Sequence, residues 1–155
     1  MSKKRYYIIF PAICLLTGAL SGFLIRRSVK EVFPQLNKPP LMPPAAVFPA
    51  VWAILYFLMG IGMAQVAASG KPGVKKAGAV WAFQLVLNFT WSLLFFNKNA
   101  YLTALVCLII LWGMILWMTD EFQKIRPLAG WLQVPYLLWV AFAGYLNAGV
   151  WILNS

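Results

Sequence analysis

The stretch 101–119 reads YLTALVCLIILWGMILWMT, nineteen residues without a charge, closed by Asp120 and Glu121. As an α-helix it rises about 30 Å, the thickness of a bilayer's hydrocarbon core. Similar runs lie on either side. Residues 6–25 sit between Lys3, Lys4, Arg5 and Arg26, Arg27, and Val47–Ala68 ends at Ser69-Gly70-Lys71-Pro72-Gly73. Residues 78–96 end at a tight Asn97-Lys98-Asn99 turn, and residues 128–153 follow a last charged break. The pattern predicts an all-α membrane protein: one domain over residues 1–155, a bundle of five transmembrane helices with spans at about 6–25, 47–68, 78–96, 101–119 and 128–153.

Composition agrees. The 155 residues are 63% hydrophobic and only 10% charged, where a soluble domain carries roughly a quarter charged residues. The net charge of +10 comes from 13 Lys and Arg against Glu31, Asp120 and Glu121. These cations lie between apolar runs and form no continuous patch, which argues against nucleic acid and for contact with anionic lipid headgroups. A basic start followed by residues 6–25 also describes a signal peptide, with Ala19-Leu20-Ser21 as a cleavage site. The run is long for that role and is closed by arginines, so it is read as a retained span. Eight Lys and Arg fall on the N-terminal side of the bundle and five on the other, which favours a cytoplasmic N-terminus.

The segment 26–46 differs in kind. Lys38-Pro39-Pro40 and Pro43-Pro44 cannot continue a helix, so a long, structured first loop is expected. Cys14 and Cys107 lie inside apolar runs and imply no disulfide. The chain has no His, and no acid lies in mid-span. No metal site, required cofactor or proton relay is therefore expected.

Three groups remain for chemistry. Trp52 and Tyr56 are one turn apart on one helix face. Trp139 is followed one turn later by Ala143, and a large indole beside a small residue makes a slot suited to a planar ligand. Gln84 and Asn88 share a stripe with Trp81 and Trp91; amides in hydrocarbon must find partners, either a neighbouring helix or a ligand. Gly18, Ser21 and Gly22 give the first span a narrow face, Pro135 is expected to kink the fifth, and Gly78-x-x-x-Ala82 is a small-residue contact motif.

Three blocks carry a resemblance. They are Asn37-Lys38-Pro39 through Pro43-Pro44 to Val51-Trp52-x-x-Leu55-Tyr56; Gln84-Leu85-x-Leu87-Asn88-x-x-Trp91 to Phe95-Phe96; and Pro135-Tyr136-Leu137-x-Trp139-x-Ala141-Phe142-Ala143-x-x-Leu146-Asn147. Together they resemble the translocator protein family, also called tryptophan-rich sensory proteins or peripheral-type benzodiazepine receptors. The resemblance implies a homodimeric five-helix bundle with a pocket beneath the first loop for porphyrins and for benzodiazepine- or isoquinoline-type ligands. It carries over pocket roles to Trp52, Asn88, Trp139 and Ala143. Tyr56, Trp91, Phe142 and Lys38 join them as expected ligand-binding residues, with Lys38 as a partner for porphyrin carboxylates. Some bacterial relatives degrade porphyrin in light, which would make Trp52 and Trp139 catalytic. No Lys or Arg follows Arg126, so the cholesterol motif of animal relatives is incomplete. The expected role is a porphyrin receptor or sensor in a bacterial inner membrane, with a hydrophobic ligand, lipids and a second copy as partners and Gly78 and Ala82 at the dimer contact. A transporter or a photochemical enzyme is the alternative.

An odd number of spans puts the termini on opposite faces. Reporter fusions at the two ends, read for cytoplasmic activity, are expected to disagree; agreement would remove one span from the reading.

Overall fold

The structure is a computed structural model that describes residues 2–155. Helices α1 (Lys3–Glu31), α2 (Val47–Ala68), α3 (Val74–Ser92) and α4 (Tyr101–Ile125) are followed by a short α5 (Pro127–Trp131) and by α6 (Val134–Leu153). There are five membrane-spanning units, α5 and α6 together forming the last, and no strand among the described residues. The chain is an integral, multi-pass membrane protein.

Helix ends depart from the apolar runs for physical reasons. α1 continues past residue 25 to Glu31, and α4 past residue 119 to Ile125. Charged side chains end a hydrophobic window but not a helix; Lys, Arg and Glu are good helix formers. A proline ends each one: Pro34 follows α1, and Pro127 forces Arg126 out of helical backbone (φ −141°, ψ 109°). The first loop is thus shorter than expected, residues 32–46, and opens with a 3₁₀ turn at Phe33–Gln35. α3 starts at Val74, earlier than expected, and passes at Leu93 into a π-helical turn, Leu93–Asn97. Pro135 does not kink a continuous fifth helix. It lies in the first turn of α6, where its missing N–H costs nothing, and the break falls before it at Leu132 and Gln133.

The core lies where α4 packs against α3 and α6. Leu108, Leu111, Ile115, Met118 and Phe122 of α4 are at most 1% exposed. The outward faces of the helices carry exposed Ile, Leu, Phe and Trp, as a lipid-facing surface requires. The three acids are all paired: Glu31 with Arg27 (3.1 Å), Asp120 with Lys124 (3.0 Å), and Glu121 with Lys76 (3.4 Å) and Lys124 (3.6 Å).

α1 and α2 meet as a wedge. A Cβ on Gly60 would collide with the backbone of Pro11, so the two helices touch there main chain to main chain and only glycine fits. Further along, a Cβ on Gly18 would lie 2.5 Å from the Tyr56 ring, while one on Gly22 meets nothing within 4 Å. The helices therefore part toward the first loop.

Gly60→Ala is expected to lower stability by about 1–3 kcal/mol, the cost of overpacking against backbone that cannot yield. Gly113, with open space around it, serves as control: Gly113→Ala should leave the melting temperature in detergent unchanged or raise it. Equal effects would show that the α1–α2 contact tolerates separation.

Candidate functional site

The space opened by the wedge is a chamber of about 650 Å³. One wall is the stripe Gly18, Ser21, Gly22, Ile25 and Arg26 of α1, residues that recur on one helix face. Facing it are Phe48, Trp52 and Tyr56 of α2. The inner wall is Trp91, Phe95 and Phe96 at the end of α3, with Ala143 and Asn147 of α6. Its roof includes Phe33 and Met42 of the first loop. Between α1 and α2 the lining residues Ala19, Gly22, Pro49 and Ala53 are themselves exposed, so the chamber has a window on the lipid-facing surface.

The aromatic rings form a connected wall. The Trp52 ring centroid lies 5.7 Å from Tyr56 and 6.1 Å from Trp91, with interplanar angles of 33° and 38°. Trp91 continues to Phe95 at 5.7 Å. These are ordinary contact distances for aromatic pairs. The π-helical turn matters here. It carries Phe95 and Phe96 onto the chamber and lets Asn97 reach α1, donating through Nδ2 to the carbonyl of Leu24 (3.0 Å) and accepting from Ser28 Oγ (2.9 Å).

Behind the rings runs a chain of buried hydrogen bonds. Tyr56 O–H donates to Asn88 Oδ1 (3.0 Å), Asn88 Nδ2 to the Tyr136 hydroxyl (2.6 Å), and Tyr136 O–H to Gln84 Oε1 (2.8 Å). Gln84 Nε2 ends it on the Trp81 carbonyl (2.9 Å). A second branch holds the inner wall: Trp91 Nε1 donates to Asn147 Oδ1 (3.0 Å), and Asn147 Nδ2 to the Tyr101 carbonyl (2.9 Å). The Tyr56 hydroxyl and the Trp91 N–H are thus taken up by buried partners, and the wall presents mainly ring faces.

Of the expected site residues, the structure brings Trp52, Tyr56, Trp91 and Ala143 to the chamber. Asn88 lies behind the wall, fully buried, positioning Tyr56 rather than facing the space. Trp139 stands in a second layer against Phe48 (5.9 Å) and Trp52 (6.5 Å), its indole N–H buried without a partner. Phe142 packs on Trp139 at 5.7 Å. Lys38 is in the loop, where its ammonium donates to the carbonyls of Pro34 (3.3 Å) and Leu36 (3.2 Å) and lies 5.1 Å from the centre of the Phe33 ring. Gly78 is half-buried beside Met63, while Ala82 is exposed. The α1 stripe is what sequence reasoning missed as a site. Gly18, Ser21 and Gly22 registered only as a narrow packing face, and Arg26 only as a boundary charge.

The loop is fastened across the bundle end. Asn37 N–H donates to Asn154 Oδ1 (3.0 Å), Asn154 Nδ2 returns a bond to the Asn37 carbonyl (2.8 Å), and Tyr145 O–H donates to the Pro40 carbonyl (2.7 Å). Pro39 sits so closely on Gly149 that a Cβ there would be 2.5 Å from the proline ring.

Comparison with known proteins identifies the relatives of this sequence. Residues 10–152 match the sequence model of the TspO/MBR family. The chain is 36% identical over 144 residues to the tryptophan-rich protein TspO of Chlorobaculum tepidum, covering 92% of this chain and 91% of that protein. It is 33% identical over 156 residues to protein CrtK of Rhodobacter capsulatus, covering 99% and 95%. It is 36% identical over 150 residues to the translocator protein of Bos taurus, covering 94% and 88%.

Asn88→Ala removes an acceptor and a donor at once, stranding the Tyr56 hydroxyl in an apolar interior and leaving the Tyr136 hydroxyl with only its bond to Gln84. A loss of about 1–2 kcal/mol is expected, at the upper end of what hydrogen bonds contribute inside membrane proteins. In a cycle with Tyr56→Phe the two losses should be less than additive, as measured by denaturant unfolding in detergent. Full additivity would show that the bond contributes nothing.

Proposed function

The chain belongs to the TspO/MBR family, and from that premise and the chamber's geometry we propose that it is a membrane receptor or sensor for a porphyrin-type tetrapyrrole. Flat apolar molecules of the benzodiazepine and isoquinoline classes would use the same space. The single observation that carries this reading is the aromatic wall. A chamber of about 650 Å³ falls within the range of roughly 300–1,000 Å³ typical of small-molecule sites. Most of its lining is apolar, and the Tyr56 hydroxyl and Trp91 N–H are paired with buried partners, so what it offers is chiefly area, flatness and π-faces. A tetrapyrrole presents the complementary surface. Ring stacking adds about 1 kcal/mol per pair beyond burial. The fastened loop supports retention, since an ordered roof loses little entropy on closing over a ligand. With no His in the chain, the site suits a metal-free porphyrin better than a haem held by an axial imidazole.

Titration of the chain in lipid nanodiscs with protoporphyrin is expected to quench tryptophan fluorescence saturably. Trp52→Phe should weaken binding about fivefold, the equivalent of roughly 1 kcal/mol of lost aromatic contact. Trp139→Phe, acting through Trp52, should weaken it less. The same titration under illumination tests for porphyrin loss: a fall in turnover far beyond the fall in affinity in Trp52→Phe would move the reading from receptor to photochemical enzyme. Absence of saturable quenching in the unmodified chain would overturn the proposal.

A further inference from the structure

We infer that Arg26 is a specificity-determining residue of the chamber, taking the acidic group of a ligand whose ring system lies against Trp52 and Trp91. The inference rests on the receptor reading above and adds to it which end of the ligand is recognised and by what.

Among the described residues lining the chamber, Arg26 is the one with a charge. It follows Gly18 and Gly22 at four-residue intervals and so stands on the same face of α1. The lane beneath it is clear, since a Cβ on Gly22 would meet no atom within 4 Å. A flat molecule lying along that lane with its rings near Tyr56 has its outer edge at the level of Arg26.

The other polar groups of the wall are mostly spent. The Tyr56 hydroxyl and the Trp91 N–H bond to Asn88 and Asn147, the Ser92 hydroxyl reaches the Asn88 carbonyl, and Asn147 also holds the Tyr101 carbonyl. Ser21 adds a small neutral hydroxyl. Of the nearby cations, Arg27 pairs with Glu31 at 3.1 Å and Lys38 is tied to two loop carbonyls, while Lys30, one turn beyond Arg26, does not line the chamber.

Arg26 itself is held without being used up. Its guanidinium lies 3.8 Å from the centre of the Phe23 ring, and one Nη donates to the Phe23 carbonyl. An arginine has five N–H donors in a fixed fork that matches a carboxylate or phosphate. Phe23 is exposed and does not line the chamber, so Arg26, an exposed lining residue, turns its remaining donors to a ligand by swinging off that ring. A carboxylate met there keeps partial access to water and avoids the full desolvation of a buried ion pair.

The test uses two probes that differ only at the acid edge, protoporphyrin and its dimethyl ester. Both are titrated in nanodiscs of phosphatidylcholine against the unmodified chain, Arg26→Gln and Arg26→Lys. Comparing proteins cancels the difference in how the probes partition into lipid. The expected result is that Arg26→Gln loses about tenfold of the preference for the acid, the scale of a charged hydrogen bond in a part-exposed site. Ester affinity should be unchanged, and Arg26→Lys should recover part of the preference. Equal weakening of both probes would make Arg26 a structural residue and overturn the inference. An unchanged preference would make it a lipid-headgroup anchor and overturn the inference as well. Failure of the unmodified chain to bind either probe would overturn the receptor reading and this inference together.

Discussion

A polar group inside a hydrocarbon layer has no water to turn to, and this bundle is organised around meeting that demand. Tyr56, Asn88, Tyr136 and Gln84 are all at most 5% exposed, yet they come from α2, α3 and α6 and satisfy one another in sequence. Lipid offers no hydrophobic force to hold helices together, so interhelical hydrogen bonds and close packing must fix their mutual rotation. The chain of four does this at the level of the aromatic wall. Because the Tyr56 hydroxyl must reach Asn88, its ring is fixed in place, and Trp52 and Trp91 pack on that fixed surface. The wall is a by-product of that hydrogen-bonded chain, although the Trp139 indole N–H in the layer behind it stays unpaired.

α1 is the element least bound by this arrangement. It meets α2 through glycine-to-backbone contact at Gly60 and Pro11 and through Gly18 on the Tyr56 ring, then diverges. Asn97 of the π-helical turn supplies a second attachment, to Leu24 and Ser28. Between these two attachments α1 bridges a void instead of filling it. The first loop closes the end, held by Asn37, Pro39 and Pro40 on the last turns of α6. A space so bounded persists because its edges are fixed while its middle has small residues on one side and rigid rings on the other.

The fold was legible because hydropathy over nineteen or more residues depends on lipid thickness alone. Helix ends were less so: at Glu31 and Ile125 the helix stops where proline chemistry dictates, several residues beyond the ends of the unbroken apolar runs at 25 and 119. The break before α6 was hidden because Pro135 removes the same N–H whether it kinks a helix or opens one. In the site, aromatic residues announced themselves by size: Trp52, Tyr56 and Trp91 line the chamber, though spacing alone left open whether they pack or bound a space. Asn88 also stood out, but spacing could not tell whether its amide turns to a ligand or to Tyr56. The α1 stripe was silent because a glycine that makes room has no side chain by which to advertise it. Arg26 was masked for the opposite reason, being one of several cations at a membrane boundary.

The window between α1 and α2 changes what affinity means for this molecule. On the proposed reading, a chamber that opens toward lipid and offers ring faces would not extract a flat apolar ligand from water; it would compete with the bilayer, an apolar solvent in which such a molecule dissolves. Occupancy is then set by the ligand's mole fraction in the surrounding lipid. Diluting the protein in buffer at constant lipid-to-protein ratio leaves it nearly unchanged, whereas adding empty vesicles drains the site. Two membranes with the same total ligand but different lipid content would fill such a chamber to different degrees, so its occupancy would follow crowding of the bilayer by the ligand more directly than the ligand's bulk concentration.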